Sequence, residues 1–509
     1  MPYDASLLKS GNPPTQLAPQ CPNIKKERNL VKKTMFLSPP SFDGFDGGAG
    51  SRYQAKREIT SFWYPTWLAQ PAALVPGSKL VDAPPHGQTV EDVLKIAKDY
   101  DLVIMHTSTP SLTNDVKCAE AIKAQNPDVK IGFVGAHVAV LPEETLRDHP
   151  VIDFVCRNEF DYTCKELAEG KPWAEIKGLS YRDGDRHSNI HHNEERPLIH
   201  DWDAMPSVLP TYARNLDITK YFIGYLLHPY ISFYTGRGCP AKCTFCLWPQ
   251  TIGGHLYRHK SPEAVGREMA EAKAIFGDKV REYMFDDDTF TIDKHRAIAI
   301  SEHMKRLKLT WSCNARANLD YDTLKTLRDN GLRLLLVGFE SGNQDILNRI
   351  KKGIKLEVAR EFMNNCRKLG ITVHGTFIIG LPVETRETIE ETIRFACELS
   401  PHTIQVSIAA PYPGTELYEQ AKENGWFTNQ SLVANSGIQT STLQYPHLTS
   451  AEIEDAVERM YRKFYFRPQA IIPIVREMIS DRQMLVRRLR EGGEFFSYLK
   501  ERRTQAAAR

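Results

Sequence analysis

The chain has 509 residues, enough for about three domains of ordinary size. Charged residues are 25% and hydrophobic residues 41% of it, an ordinary globular balance, and a net charge of +2 gives no electrostatic case for nucleic acid. No run of about 18 apolar residues is present to span a bilayer, and of the ten cysteines only three cluster, which suits a reduced cytoplasm better than a disulfide scaffold.

The opening Met1-Pro2-Tyr3-Asp4-Ala5 has neither a basic nor an apolar segment, so no signal peptide is expected. Residues 1–30, rich in Pro, Asn, Gln and Lys without a period, read as a disordered tail. Between residues 31 and 165 five short apolar runs alternate with helical segments: Thr34–Leu37, Lys79–Ala83, Asp101–Met105, Lys130–Val134 and Ile152–Cys156. Buried strands alternating with helices predict an α/β domain with a doubly wound, Rossmann-like parallel sheet, whose ligands bind at the carboxyl ends of the strands. Small and polar residues fall at those ends: Ser38, Thr107, Ser108, Gly135, His137 and Glu159. No G-x-G-x-x-G follows the first strand, which argues against a nicotinamide cofactor; a Rossmann-like domain without any ligand is the plainer alternative.

Residues 166–229 read as a linker containing a small hairpin around Asp183-Gly184-Asp185. Its histidines, His187, His191, His192 and His200, lie among polar residues and read as solvated. Residues 230–424 carry six strand–helix units, with strands at Ile231–Thr235, Glu282–Phe285, Thr310–Asn314, Leu334–Phe339, Thr372–Ile379 and Thr403–Ile408. Six such units predict a partial (β/α)6 barrel with its chemistry at the strand carboxyl ends. Just after the first strand stand Cys239, Cys243 and Cys246, spaced C-x3-C-x2-C. Three thiolates on one loop can hold three irons of a [4Fe–4S] cluster, leaving the fourth iron open to a small molecule; zinc would want a fourth ligand. The acids Asp286, Asp287 and Asp288 follow the second strand, where they either serve a site or start an exposed helix. Residues 425–509 read as a helical extension, in which Ile471 to Arg503 interleaves apolar residues with Arg476, Arg482, Arg487, Arg488 and Arg490. That pattern fits a membrane-surface helix and a helix packed on the barrel equally well.

The cysteine motif resembles that of the radical S-adenosylmethionine (SAM) enzymes. The run Gly135-Ala136-His137 through Pro142-Glu143-Glu144, with Arg157-Asn158-Glu159, resembles the cobalamin-binding domain that precedes the barrel in one large subclass. The resemblance implies three cofactors: a [4Fe–4S] cluster on Cys239, Cys243 and Cys246, SAM on its open iron, and cobalamin in the first domain. It implies that Phe245, Asp287, Asp288, Arg316, Gly338, Glu340, Ser341 and Gly380 surround SAM, with Arg316 holding the carboxylate by a forked pair of hydrogen bonds. It also implies that Ser38, Thr107, Ser108, Gly135, His137 and Glu159 face cobalamin, His137 lining the pocket or closing a turn. A reducing electron donor such as flavodoxin or ferredoxin is expected. Overall the chain is most similar to subclass members of hopanoid lipid biosynthesis. This implies contraction of the sugar ring of a glucosaminyl bacteriohopanetetrol to a cyclitol ether, in the cytoplasm, with peripheral contact at the inner face of the membrane. The alternatives are a cobalamin-dependent methyltransferase on another substrate and a non-enzymatic cobalamin or redox sensor.

Overall fold

A computed structural model describes residues 31–42, 58–184, 189–434, 437–480 and 482–507. The expected tail and His187 lie outside the described residues. β1 (Thr34–Ser38), β2 (Lys79–Asp82), β3 (Leu102–His106), β4 (Lys130–Val134) and β5 (Phe154–Cys156) pair in parallel. Every residue of β1, β3 and β5 is buried, which is why short apolar runs suffice as strands. Their order, β2-β1-β3-β4-β5, has its topological switch between β1 and β3. The hairpin read within the linker is part of this sheet: β6 (Leu179–Arg182) and β7 (Ile190–His192) continue it antiparallel beyond β5. His192 there bonds Ser180 and Glu143, both at 2.8 Å, and His191 stacks on Tyr181.

The second sheet starts at β8 (Tyr230–Phe233). A two-residue antiparallel ribbon, β9 (Gly236–Arg237) with β10 (Arg258–His259), interrupts the β/α alternation. Then follow β11 (Glu282–Phe285), β12 (Trp311–Ala315), β13 (Leu332–Glu340), β14 (Thr372–Ile379) and β15 (Thr403–Ile408). All six long strands are parallel, in the order β8-β11-β12-β13-β14-β15, an open six-stranded barrel. The intervening helices begin where a side chain takes up an orphan amide: Ser261 accepts from Ala264, Asp293 from His295 and Arg296, and Asp320 from Thr323.

One apolar core runs through both sheets. Phe36, Leu102 and Ile104 of the first join Tyr230, Phe285 and Leu334 of the second through Trp63, Tyr64 and Trp67. The far face of the first sheet has a separate core around Met35, Val103, Met105 and Ile131. β15 is an edge strand, and the helix Ser450–Tyr465 covers it. The Tyr461 and Tyr465 hydroxyls accept the backbone amides of Val406 and Ile404, at 2.9 and 3.0 Å.

Helices Pro468–Ser480 and Arg482–Ala507 end the described chain. Arg487 donates to the carbonyls of Ile223, Gly224 and Leu226 and pairs with Glu491, which also holds Arg488 at 2.7 Å. Arg487 and Arg490 both lie over the Phe222 ring. Of the two readings offered for this segment, Arg487 and Arg490 fit the packed helix: they fasten it to the stretch 222–226 that leads into β8. No helix among the described residues is long and apolar enough to cross a membrane.

Candidate active site

The ribbon β9/β10 is the stem of the cysteine loop. Gly238 enters the loop with φ 93°, where a Cβ would stand 2.2 Å from the Leu256 carbonyl oxygen, so the position requires glycine. Its amide donates to Asp288 Oδ2 at 3.2 Å. Gln250 winds the loop. Its side-chain amide donates to the carbonyls of Cys243, Thr244 and Cys246 at 3.2, 3.3 and 2.7 Å, while its oxygen accepts the Glu416 amide at 2.9 Å. Nothing in the spacing pointed to Gln250, because its role is visible only in these contacts.

Cys239 and Cys243 are buried and Cys246 is half-buried. Burial pushes the Cys243 and Cys246 thiols up, and the Asp288 carboxylate adds to the effect on Cys246. A metal that replaces their protons relieves that cost. Among the described residues no three His, Cys, Asp or Glu side chains converge on a single ion. Thiolates that each bind a different iron of a cluster have no need to converge, so the donor set fits the cluster.

The three cysteines line a cavity of about 340 Å³ at the barrel mouth. Phe245, Asp288, Arg316, Gly338 and Glu340 line it too, together with Asn314, Thr289 and Lys352. A β-bulge between Gly338 and Glu340, with Glu340 at φ 65°, breaks the β13/β14 register where Glu340 joins the wall. Lys352 Nζ stands 2.6 Å from Glu340 Oε1. Burial alone would lower the Lys352 ammonium, but Glu340 and then Cys243 outweigh it and hold it above its usual value. Arg316 donates to the Lys352 and Gly353 carbonyls. A grip of cations, a carboxylate and an open glycine wall fits the charged head of an amino acid such as SAM.

Three residues expected around SAM sit elsewhere. Asp287 is fully buried behind the wall, accepting from the Thr235 amide and hydroxyl, both at 2.6 Å, and from Tyr257 at 2.7 Å. Ser341 shapes a turn through Thr392 and the Asn343 amide. Gly380 donates its amide to Glu384, and a Cβ there would meet Ile453 at 2.8 Å. None of the three lines the cavity. Lys352 and Asn314 take their place on the wall; neither belongs to the residue set read from the sequence.

In the first domain the strand ends come together at the switch point. Ser38 Oγ, His106 Nε2 and Thr107 Oγ1 are buried there without a hydrogen-bond partner among the described residues. Gly135, at φ 126°, would put a Cβ 2.2 Å from the Thr107 carbonyl oxygen. His137 Nδ1 meets Thr109 Oγ1 at 3.0 Å. Burial brings both His106 and His137 down to about 4, so both are neutral at pH 7. Ser108 is tied to Ser111 at 3.1 Å. Orphaned polar atoms beside a glycine cradle fit a large polar ligand such as cobalamin. Pro110, from the loop after β3, also lines the barrel cavity, so this loop reaches it. Glu159 is the exception: it accepts from Arg258 at 2.6 Å and from the Ile199 amide at 2.7 Å, and belongs to the joint between the sheets.

A family model described as the radical SAM superfamily matches residues 233–396, and one described as a B12 binding domain matches residues 56–168. The chain is 32% identical over 454 residues to an uncharacterized methyltransferase of Pyrococcus horikoshii, covering 87% of this chain and 94% of that one. It is 27% identical over 317 residues to the hopanoid C-3 methylase of Methylococcus capsulatus, covering 60% and 57%. A solved structure of the cobalamin-dependent S-adenosylmethionine radical enzyme OxsB, with aqua-cobalamin and SAM bound, superposes with a TM-score of 0.65 at 14% identity. The match covers 94% of this chain and 72% of that one, a likeness of fold. The cofactors are accordingly a [4Fe–4S] cluster, SAM and cobalamin. Identity that runs through both sheets, with both family models matched in the same order, makes this chain a member of the cobalamin-binding radical SAM family.

Proposed function

We propose that the chain is a cobalamin-dependent radical SAM methyltransferase. The observation that carries this reading is the 32% identity, across 94% of its length, to a chain named a methyltransferase. When bound, the three cofactors supply one-electron cleavage of SAM and a methyl group. The chain's own residues hold and enclose them. Cys239, Cys243 and Cys246 offer thiolates; Arg316, Glu340 and Asp288 take the polar head of SAM; Phe245 flanks the site. Leu336, Phe377, Ile378, Val406 and Ile408 form an apolar wall that keeps water from a radical, with Gln405 and Ser407 to orient a substrate. Leu432 and Tyr498, from beyond the barrel, close that wall, which suits a substrate with a large apolar part. A hopanoid lipid is the class that the overall resemblance and one relative's name favour.

Contraction of a glucosaminyl hopanoid to a cyclitol ether is the second reading. It rests on overall resemblance alone, and methyl transfer has the relatives' names behind it. Either reaction needs a one-electron donor, and we expect a flavodoxin or ferredoxin. Any peripheral membrane contact would rest on the exposed Ile479, Val486 and Leu489 rather than on the anchored arginines. The deciding experiment is anaerobic incubation with methyl-labelled SAM, reductant and candidate hopanoids. A labelled product one methylene heavier supports methyl transfer; an unlabelled isomer supports contraction; absence of 5′-deoxyadenosine and of any altered lipid overturns both.

A further inference from the structure

The turn Ile350–Gly353 is pressed against the cysteine loop. The Thr244 amide donates to the Ile350 carbonyl at 3.1 Å, and Cys243 Sγ lies 3.9 Å from the Lys351 carbonyl oxygen. The backbone there is forced: Lys351 has φ 54° and Glu340, across the cavity wall, φ 65°, both left-handed conformations that side chains other than glycine rarely adopt. Between them Lys352 is 9% exposed and Glu340 6%. Arg316 fixes the Lys352 backbone through its carbonyl. A Cβ on Gly338 would stand 2.8 Å from the ammonium, so the missing side chain makes room for it.

An ammonium has three donors. Among the described residues Glu340 is the one acceptor that Lys352 Nζ meets. The remaining donors belong to a buried cation lining the cavity beside Cys243. Burying donors without acceptors is unfavourable unless a ligand completes them. Lys260, by contrast, is buried against Glu268 away from the cavity, an ion pair with no ligand to meet.

We propose that Lys352 is a cofactor-binding residue of the cluster site: its ammonium, aimed by Glu340, donates to the anionic acceptor bound at the Cys243 side of the cavity. That acceptor is an inorganic sulfide of the cluster or the carboxylate of SAM. The inference rests on the cluster and SAM assignment and is independent of methyl transfer, because its readouts need no product. The test compares full-length, reconstituted Lys352→Met and Lys352→Arg with the parent by iron content, SAM affinity and the midpoint potential of the cluster without SAM. The expected result is full iron in Lys352→Met with one of two losses. SAM affinity weakened threefold or more, with about tenfold expected, identifies the carboxylate. A midpoint potential lowered by the equivalent, about 59 mV for tenfold, identifies the sulfide. Lys352→Arg should recover most of either loss. Changes below threefold in both quantities, at full iron, overturn the proposal. If Lys352→Met loses its iron, recovery of iron and SAM affinity in Lys352→Arg supports the charge, and loss in both variants shows a packing role and overturns it.

Discussion

At the joint between the two sheets Arg237 and Arg258 meet Glu159 and Asp161; at the barrel mouth Lys352 and Arg316 meet Glu340. Both groups are buried, Arg316 only partly, and both leave some capacity unused, at the joint Arg237 Nε and Glu159 Oε1; they differ in whether that capacity faces a cavity. At the joint Arg237 grips Asp161 with two hydrogen bonds, at 2.5 and 3.1 Å, and its guanidinium lies 4.5 Å from the Trp67 ring and 5.2 Å from Trp202. Arg258 divides its donors between Glu159 and the Ile199 and Gly253 carbonyls. None of these four residues lines the cavity. At the mouth, donors of Lys352 and Arg316 stay unspent on the protein and belong to residues that line a space. The same chemistry thus locks two sheets in one place and awaits a ligand in the other. The discriminating feature is unused hydrogen-bonding capacity beside a cavity, not burial or charge as such.

The comparison can be broken most severely by removing the metal. Cys239→Ala, Cys243→Ala or Cys246→Ala should abolish SAM cleavage, while Cys118→Ala and Cys164→Ala keep their iron; iron content and 5′-deoxyadenosine formation check this. Next is the joint. Arg237→Met leaves Asp161 buried without its partner and should cost about 3–5 kcal/mol of stability in urea titration. Adding Asp161→Asn should restore part of that loss, the coupling expected of groups in contact.

A smaller effect is expected from Gly338→Ala. Its Cβ would fall 2.2 Å from Glu340 Oε1, so the ion pair must shift. SAM affinity should drop about tenfold, near 1.4 kcal/mol, with the urea midpoint little changed.

Glu384 sharpens the comparison with a third solution, a buried carboxyl that no cation among the described residues pairs with. Burial pushes it up to about 8, against the pull of the Gly380 and Leu381 amides that it accepts. The folded chain therefore keeps a proton that the unfolded chain has released above its ordinary value near 4.5. Stability should fall as pH rises through that window, by about 1 kcal/mol between pH 7 and 8. Glu384→Gln, which cannot ionise, should lose that part of the slope in denaturation curves taken at each pH.

Much of the molecule was legible before folding was considered. The strands Lys130–Val134, Glu282–Phe285, Thr372–Ile379 and Thr403–Ile408 stand where their apolar runs placed them, because burial on both faces is written in consecutive residues. The C-x3-C-x2-C spacing pointed to a three-thiolate loop by itself, since all of its ligands come from one short segment. The tertiary structure decided what depends on partners distant in sequence. Asp287 and Asp288 are neighbours of one type, yet one faces Thr235 and Tyr257 behind the wall and the other lines the cavity, because the chain turns directly after β11. Glu159 was placed near cobalamin by its position after β5; only the arrival of Arg258, 99 residues later, assigns it to the joint. Lys352 has no motif of its own and gains meaning from Glu340, Gly338 and Cys243 around it. Local pattern records which residues are buried and which share a loop; the direction in which a buried charge points is set by whatever else is packed there.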